Sequence, residues 1–458
     1  MPVDELARES IKGHGAPRAP RSTAPGLRPI GNSIVHQAAI TLRDAYRFFV
    51  PLVFMTELNM ISKSVIHAFL ARTLAPSVSL AAFNTSFTFY YTLASATEVT
   101  TYLAISYLRD RRCLRRLIAF LCLVLAAPLT LVQLVAFTSL GDWLYGDVFG
   151  VSPEAVRQAK LATFLFSFSA PVLLFRGIAF ALLMVNRRTI FITWSTFVRL
   201  ASLGGSLLVL PFVFSGAAIG AAALVTCMLC ETLFAWLFAW RHFQALPRSA
   251  GELPGYAVLW RFAWPLAMNQ ASEMGVVFVV NLFLGRLANA ELALAAFGVV
   301  HGLVGLLFSP MRNLLQTAQT LVASRADAHV LLVFTLQLAA IFGAVAVVLF
   351  HTPLESWVLD TVMGLTPALG RYCAPAMQLA FLMAFFWALA AYLRGLLAGA
   401  RSTTMLAITG VLRVATVAAV GTLTFVAPDL NGAVLGLGAW ILAYAAETAV
   451  LGWRVRRA

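Results

Sequence analysis

Charge is what this sequence has least of. Only 11% of its 458 residues are Asp, Glu, Lys or Arg, against 60% hydrophobic residues and a mean hydropathy of +0.85. Those values exclude a soluble globular domain and identify an all-α polytopic membrane protein. No G-x-x-x-x-G-K-[ST] phosphate loop is present, so direct coupling to ATP hydrolysis is not expected. Paired histidines, metal-ligand spacings and a nucleophile elbow are also missing, so neither an enzyme nor a cofactor is expected. The five cysteines, at 113, 122, 227, 230 and 373, are an odd number, and the Cys227-x-x-Cys230 pair has no second pair to complete a metal site. They read as small buried hydrophobes. No apolar signal-peptide core precedes residue 47. Asp4, Glu5 and Glu9 argue against an organellar transit peptide, and residues 1–41, rich in Pro, Gly, Ser and Arg, read as a disordered basic cytoplasmic tail.

What the sequence has is apolar length. Runs able to cross a hydrocarbon core of ~30 Å fall near 47–71, 77–107, 117–138, 158–185, 189–213 and 217–240, then near 258–285, 291–322, 329–350, 368–398, 402–426 and 432–453. That predicts twelve transmembrane helices. The net charge of +14 could suggest nucleic acid, but the basic residues concentrate in the tail, the termini and alternate loops, which is the positive-inside pattern. Both termini are therefore expected in the cytoplasm, in a plasma (inner) membrane, with no nucleic-acid partner.

The helices come in two sets. Arg47, Phe48, Pro51 and Leu52 return as Arg261, Phe262, Pro265 and Leu266, a step of 214 residues. The same step takes Leu80–Phe83 to Leu294–Phe297, Trp143 to Trp357, Arg187 to Arg401 and Arg199 to Arg413. After a shift of two more residues, Gly220 and Glu231 match Gly436 and Glu447. The chain is thus an internal duplication, expected as two six-helix bundles over 46–243 and 260–457 joined by a cytoplasmic linker over 244–259.

Polar residues inside spans are costly and normally face a cavity or a bundle interior. Asn59, Lys63 and His67 stand at i, i+4 and i+8 on the first helix, preceded by Glu57; the seventh helix carries Asn269, Glu273 and Asn281 on the same face. The second helix bears Tyr91, Ser95, Glu98 and Tyr102, matched by Gly305, Ser309, Arg312 and Gln316 on the eighth, where Pro310 predicts a kink. These stripes predict a cleft between the halves. Asn59, Lys63, Asn269, Glu273, Asn281, Arg312 and Gln316 are the candidate substrate residues. Glu57, Glu98, Arg312, His67 and His301 are candidates for gating or coupling, with Glu98 and Arg312, repeat mates of opposite charge, expected to face each other. Arg199 with Glu231 and Arg413 with Glu447 are expected to form structural ion pairs inside each bundle, while Arg394 is expected to snorkel to the cytoplasmic surface. The segment R-D-R-R-C-L-R-R at 109–116 reads as a basic loop whose charge suits topology and anionic headgroups.

Twelve helices in two parallel repeats resemble the MATE-type transporters of the multidrug/oligosaccharidyl-lipid/polysaccharide flippase superfamily. Within that group R-F-F-V-P-L at 47–52, W-P-L-A at 264–267, V-N-L-F-L-G-R at 280–286, V-L-R at 411–413 and L-G-L-G at 435–438 with Glu447 resemble the progressive ankylosis (ANK) family. The resemblance implies a MATE-like fold and export of small anions such as pyrophosphate, nucleotides or citrate, with Asn281, Arg286, Arg413 and Glu447 as matching residues. The chain stops at Ala458 and lacks the long acidic tail of the animal members. The expected partners are a small anionic substrate and membrane lipids, the expected state is a monomer, and coupling to protons or sodium is left open. A multidrug exporter of lipophilic cations and a lipid flippase remain as alternatives, because the polar stripes carry charges of both signs.

Overall fold

A computed structural model describes residues 40–457 apart from 71, 74, 75, 95, 96, 98, 149, 150, 249–251, 364 and 366. The tail expected over 1–41 lies almost wholly outside the described residues. Every regular element is a helix. The first half contains α1 (Leu42–Leu70), α2 (Pro76–Ala94, resuming as Val99–Tyr107), α3 (Arg111–Phe137), α4 (Pro153–Ser167 with Ser169–Val185), α5 (Ile190–Val209) and α6 (Ala217–Gln244). The second contains α7 (Tyr256–Leu284), α8 (Ala290–Phe308, resuming as Asn313–Leu321), α9 (Arg325–Phe350), α10 (Pro367–Gln378 with Ala380–Gly399), α11 (Thr404–Gly421) and α12 (Gly432–Arg457). Among the described residues ten helices are long and apolar enough to cross a membrane.

The duplication fixes the backbone closely. Helices α1 and α7 begin and end 214 residues apart, as do both segments of α2 and α8. The π-helical turns Trp143–Val148 and Trp357–Val362 keep the same step, and so do Arg187 and Arg401, the non-glycine residues with positive φ (56° and 57°) among those described. The interruption of α8 over Ser309–Arg312 falls at Pro310, as expected.

Local chemistry sets where helices start. Asp110 caps α3 by accepting from the Cys113 backbone N–H at 2.7 Å, so most of the expected 109–116 loop is the first two turns of a helix. Ser324 and Asp327 form a reciprocal capping box at the start of α9.

The two bundles meet along one end. The hydrogen bonds seen between the halves lie from mid-membrane to the side where α1 begins and α12 ends. Asn313 Nδ2 donates to the Leu52 carbonyl (3.1 Å) and Thr56 Oγ1 (2.7 Å). Gln319 Nε2 donates to the Tyr102 carbonyl (2.9 Å) and Ser106 Oγ (2.8 Å), and Arg401 Nη2 to the Ser106 carbonyl (2.6 Å). The Ile40 N–H reaches Asp327 at 2.9 Å, and Tyr46 reaches Gln337 at 3.2 Å. Packing follows the same division: one buried core runs through the second half and the near end of the first, while the far end of the first half holds a separate core around Phe83, Tyr90 and Phe166. The cleft between halves is therefore shut on the side of the ends.

Candidate functional site

Each bundle hides an ion cluster. In the first half, Glu231 on α6 is fully buried and meets Arg176 of α4 at 3.1 Å and Arg199 of α5 at 3.4 Å. Thr196 donates to its other oxygen at 3.2 Å, and Arg199 Nη1 extends to Asn59 Oδ1 of α1 at 2.7 Å. Two cations thus share one carboxylate, and Arg199 alone also reaches the amide.

The second half is denser. Glu447 on α12 receives Arg394 Nε of α10 at 2.9 Å, Arg413 Nε of α11 at 3.3 Å and Thr409 at 3.1 Å. Glu273 on α7 is within ion-pair distance of three guanidiniums: Arg312 at 3.0 Å, Arg394 at 3.4 Å and Arg413 at 3.6 Å. Tyr444 links the set, its hydroxyl 3.2 Å from Arg413 and 3.4 Å from Glu273, with both buried guanidiniums beside its ring. Removing an ion from water costs several kcal/mol, so such groups persist only where partners are close and remaining donors are satisfied. Arg413 meets it in part: its Nη2 also donates to the Asn269 carbonyl and Ser272, while its buried Nε keeps only the ion pair to Glu447.

Exposure separates one member from the rest. Arg394, Arg413 and both glutamates have side chains at most 7% exposed, whereas Arg312, at the break in α8, is 42% exposed and lies over the Trp387 ring at 5.5 Å. The break places a cation at the edge of a buried network, where something outside can reach it.

The expected site residues are distributed unevenly over this arrangement. Glu273 and Arg312 come together with Arg413 and Glu447, so the expected substrate residues and the expected structural pair are one network. Asn59 belongs to the other cluster. Asn269 is buried and donates to the Leu406 carbonyl at 3.1 Å, which makes it a brace. Gln316, one turn beyond Arg312, is half-buried. Asn281 is exposed two turns past Glu273, roughly 12 Å along α7, and Arg286 stands over Phe425 at that far end, so neither joins the network. Glu57 accepts from Ser309 across the halves at 3.3 Å. His67 bonds Asn84 at 2.8 Å, and His301 lies beside Trp440 at 4.9 Å, close enough to feel the charge of Arg312. Glu98 and the Lys63 side chain lie outside the described residues. Arg394 does not snorkel: two carboxylates within reach hold it in the interior, 3% exposed. Arg176, which the sequence shows only as a charge inside α4, joins the Glu231 cluster in the same way.

No protein-family model and no curated protein matches the sequence. Solved structures do match. A multidrug resistance MATE family transporter of the MOP superfamily, in an outward-facing conformation, aligns with a TM-score of 0.71 at 16% identity over 91% of this chain and 95% of its own. The fold is that of the MATE transporters. A second MOP superfamily transporter, from Pyrococcus furiosus, gives 0.71 at 14% identity over 91% and 96%. The eukaryotic MATE transporter AtDTX14 gives 0.66 at 15% identity over 89% and 94%. In this MATE fold the two bundles are those of the duplicated halves, and the chain is an integral membrane protein.

Proposed function

We propose that the protein is a secondary transporter exporting small organic or phosphorylated anions, of the citrate, pyrophosphate or nucleotide class, by alternating access of its halves. The observation that carries the reading is Arg312: a half-exposed cation at a helix break, paired with a glutamate that two buried arginines also hold. An incoming anion replaces Glu273 as the partner of Arg312, while Arg394 and Arg413 keep Glu273 compensated. Charge favours an anion as well, since the two clusters hold five arginines against Glu231, Glu273 and Glu447. The ANK resemblance points to the same substrates, and the Pyrococcus furiosus transporter is described as having a binding pocket of reverse polarity that suggests a different function. With the termini cytoplasmic, as the basic loops indicate, the closed end is the cytoplasmic one and this conformation faces outward. Proteoliposome transport of labelled citrate, pyrophosphate and ATP beside a cationic dye tests the reading. Uptake of the dye alone overturns it.

A further inference from the structure

A groove of about 510 Å³ opens on the outer face of the first bundle, lined by Leu114, Ile118, Phe175, Leu233, Trp240 and Phe243 among others. That volume lies within the ~300–1,000 Å³ of small-ligand pockets. Its lining on α6 runs from Leu229 to Phe243, roughly 21 Å along the axis, which is more than half the ~30 Å hydrocarbon core. The groove is almost wholly apolar until its last turn, where the lining ends in tryptophan and phenylalanine, the side chains that favour a membrane interface.

Cations stand at that end. Arg111, Leu114, Arg115 and Ile118 are at i, i+3, i+4 and i+7 and share one face of α3; the two apolar members line the groove. Arg111 lies over the Phe243 ring at 5.5 Å and donates to the Gln244 carbonyl at 2.8 Å, leaving its buried Nε without an acceptor. Arg115 is exposed, and no carboxylate among the described residues lies within ion-pair distance of Arg111, Arg112, Arg115 or Arg116. Four cations in the first two turns of a helix also work against its dipole, which favours anions there. Topology requires basic residues on this side, but not a groove beneath them.

We propose that this groove holds an acyl chain of an anionic phospholipid from the leaflet on the side of the chain's ends, its phosphate bound by Arg111 and Arg115. The apolar trough fits the chain, and guanidiniums that meet no carboxylate fit the phosphate. A positive side chain near the membrane surface contributes ~1 kcal/mol toward an anionic lipid, about fivefold in binding. The test is native mass spectrometry of the whole protein with equimolar phosphatidylglycerol and phosphatidylcholine of identical chains. The expected result is preferential retention of phosphatidylglycerol, reduced about fivefold by Arg115→Gln, an exposed position that leaves folding intact, and further by adding Arg111→Gln. Leu233→Trp, which fills the groove and leaves the arginines, should reduce retention of both lipids. Equal retention of the two lipids by the unmodified protein overturns the proposal, as does an unchanged preference in Arg115→Gln. Displacement by chainless glycerophosphoglycerol at the lipid's own concentration would assign the site to free phosphate and overturn it too.

Discussion

The two halves share a backbone and differ in charge. Their helices start and stop in register, yet Asn59 in the first half stands where the second has Glu273. That one difference separates a site in which Arg199 is met by a neutral amide from one in which a carboxylate gathers three arginines. The comparison teaches that the scaffold was kept while the site diverged, so the bundles should answer differently to matched mutations at the clusters and alike in their packing.

The largest contrast is expected at the exchanged position. Glu273→Asn, which gives the second half the first half's residue, strands buried arginines and should cost ~3–5 kcal/mol, read as lost folded yield and a lower unfolding temperature in detergent. Asn59→Glu adds a carboxylate beside Arg199 and should leave stability higher or unchanged; equal losses from both would end the comparison. Next comes Arg312→Gln. Bonds to charged groups contribute ~1.5–3 kcal/mol, so the transport KM for an anion should rise tenfold or more, whereas an exposed pair adds only ~0–1 kcal/mol to stability. Arg199→Gln should do the reverse, lowering folded yield more than substrate affinity. A matched pair follows in the packing: a Cβ on Gly220 would come within 2.9 Å of Phe83, and one on Gly436 within 2.5 Å of its repeat mate Phe297. Alanine at either position should cost ~1–3 kcal/mol, in similar amounts, by thermal unfolding. The smallest effect is expected from Thr196→Val and Thr409→Val, each removing one hydroxyl bond to a buried glutamate at ~1 kcal/mol.

Periodicity and the repeat made the twelve helices, the duplicated bundles and the buried Arg–Glu pairs legible, because apolar length and register are written one residue at a time. Two things escaped. Segment 109–116 looked like a loop for its charge, but a capping aspartate outweighs that and starts α3 at Arg111. Arg394 looked able to snorkel because its depth was readable and its partners on α7 and α12 were not. Which side chain reaches which carboxylate depends on rotation about helix axes, which residue spacing along the chain does not give.

The matching boundaries of α1–α6 and α7–α12 reach back before the chain was one chain. Six crossings is an even number, so both copies enter the membrane from the same side, and a six-helix ancestor could pair with its own copy about a true two-fold axis without turning over. In such a dimer Asn59 and Glu273 were the same residue on identical subunits, and no charge could be placed on one that was not placed on the other. Joining the copies in tandem lifted that restriction. The charge asymmetry across the cleft is therefore something only the fused protein can carry, and it makes the axis between the bundles an approximate symmetry of the backbone alone.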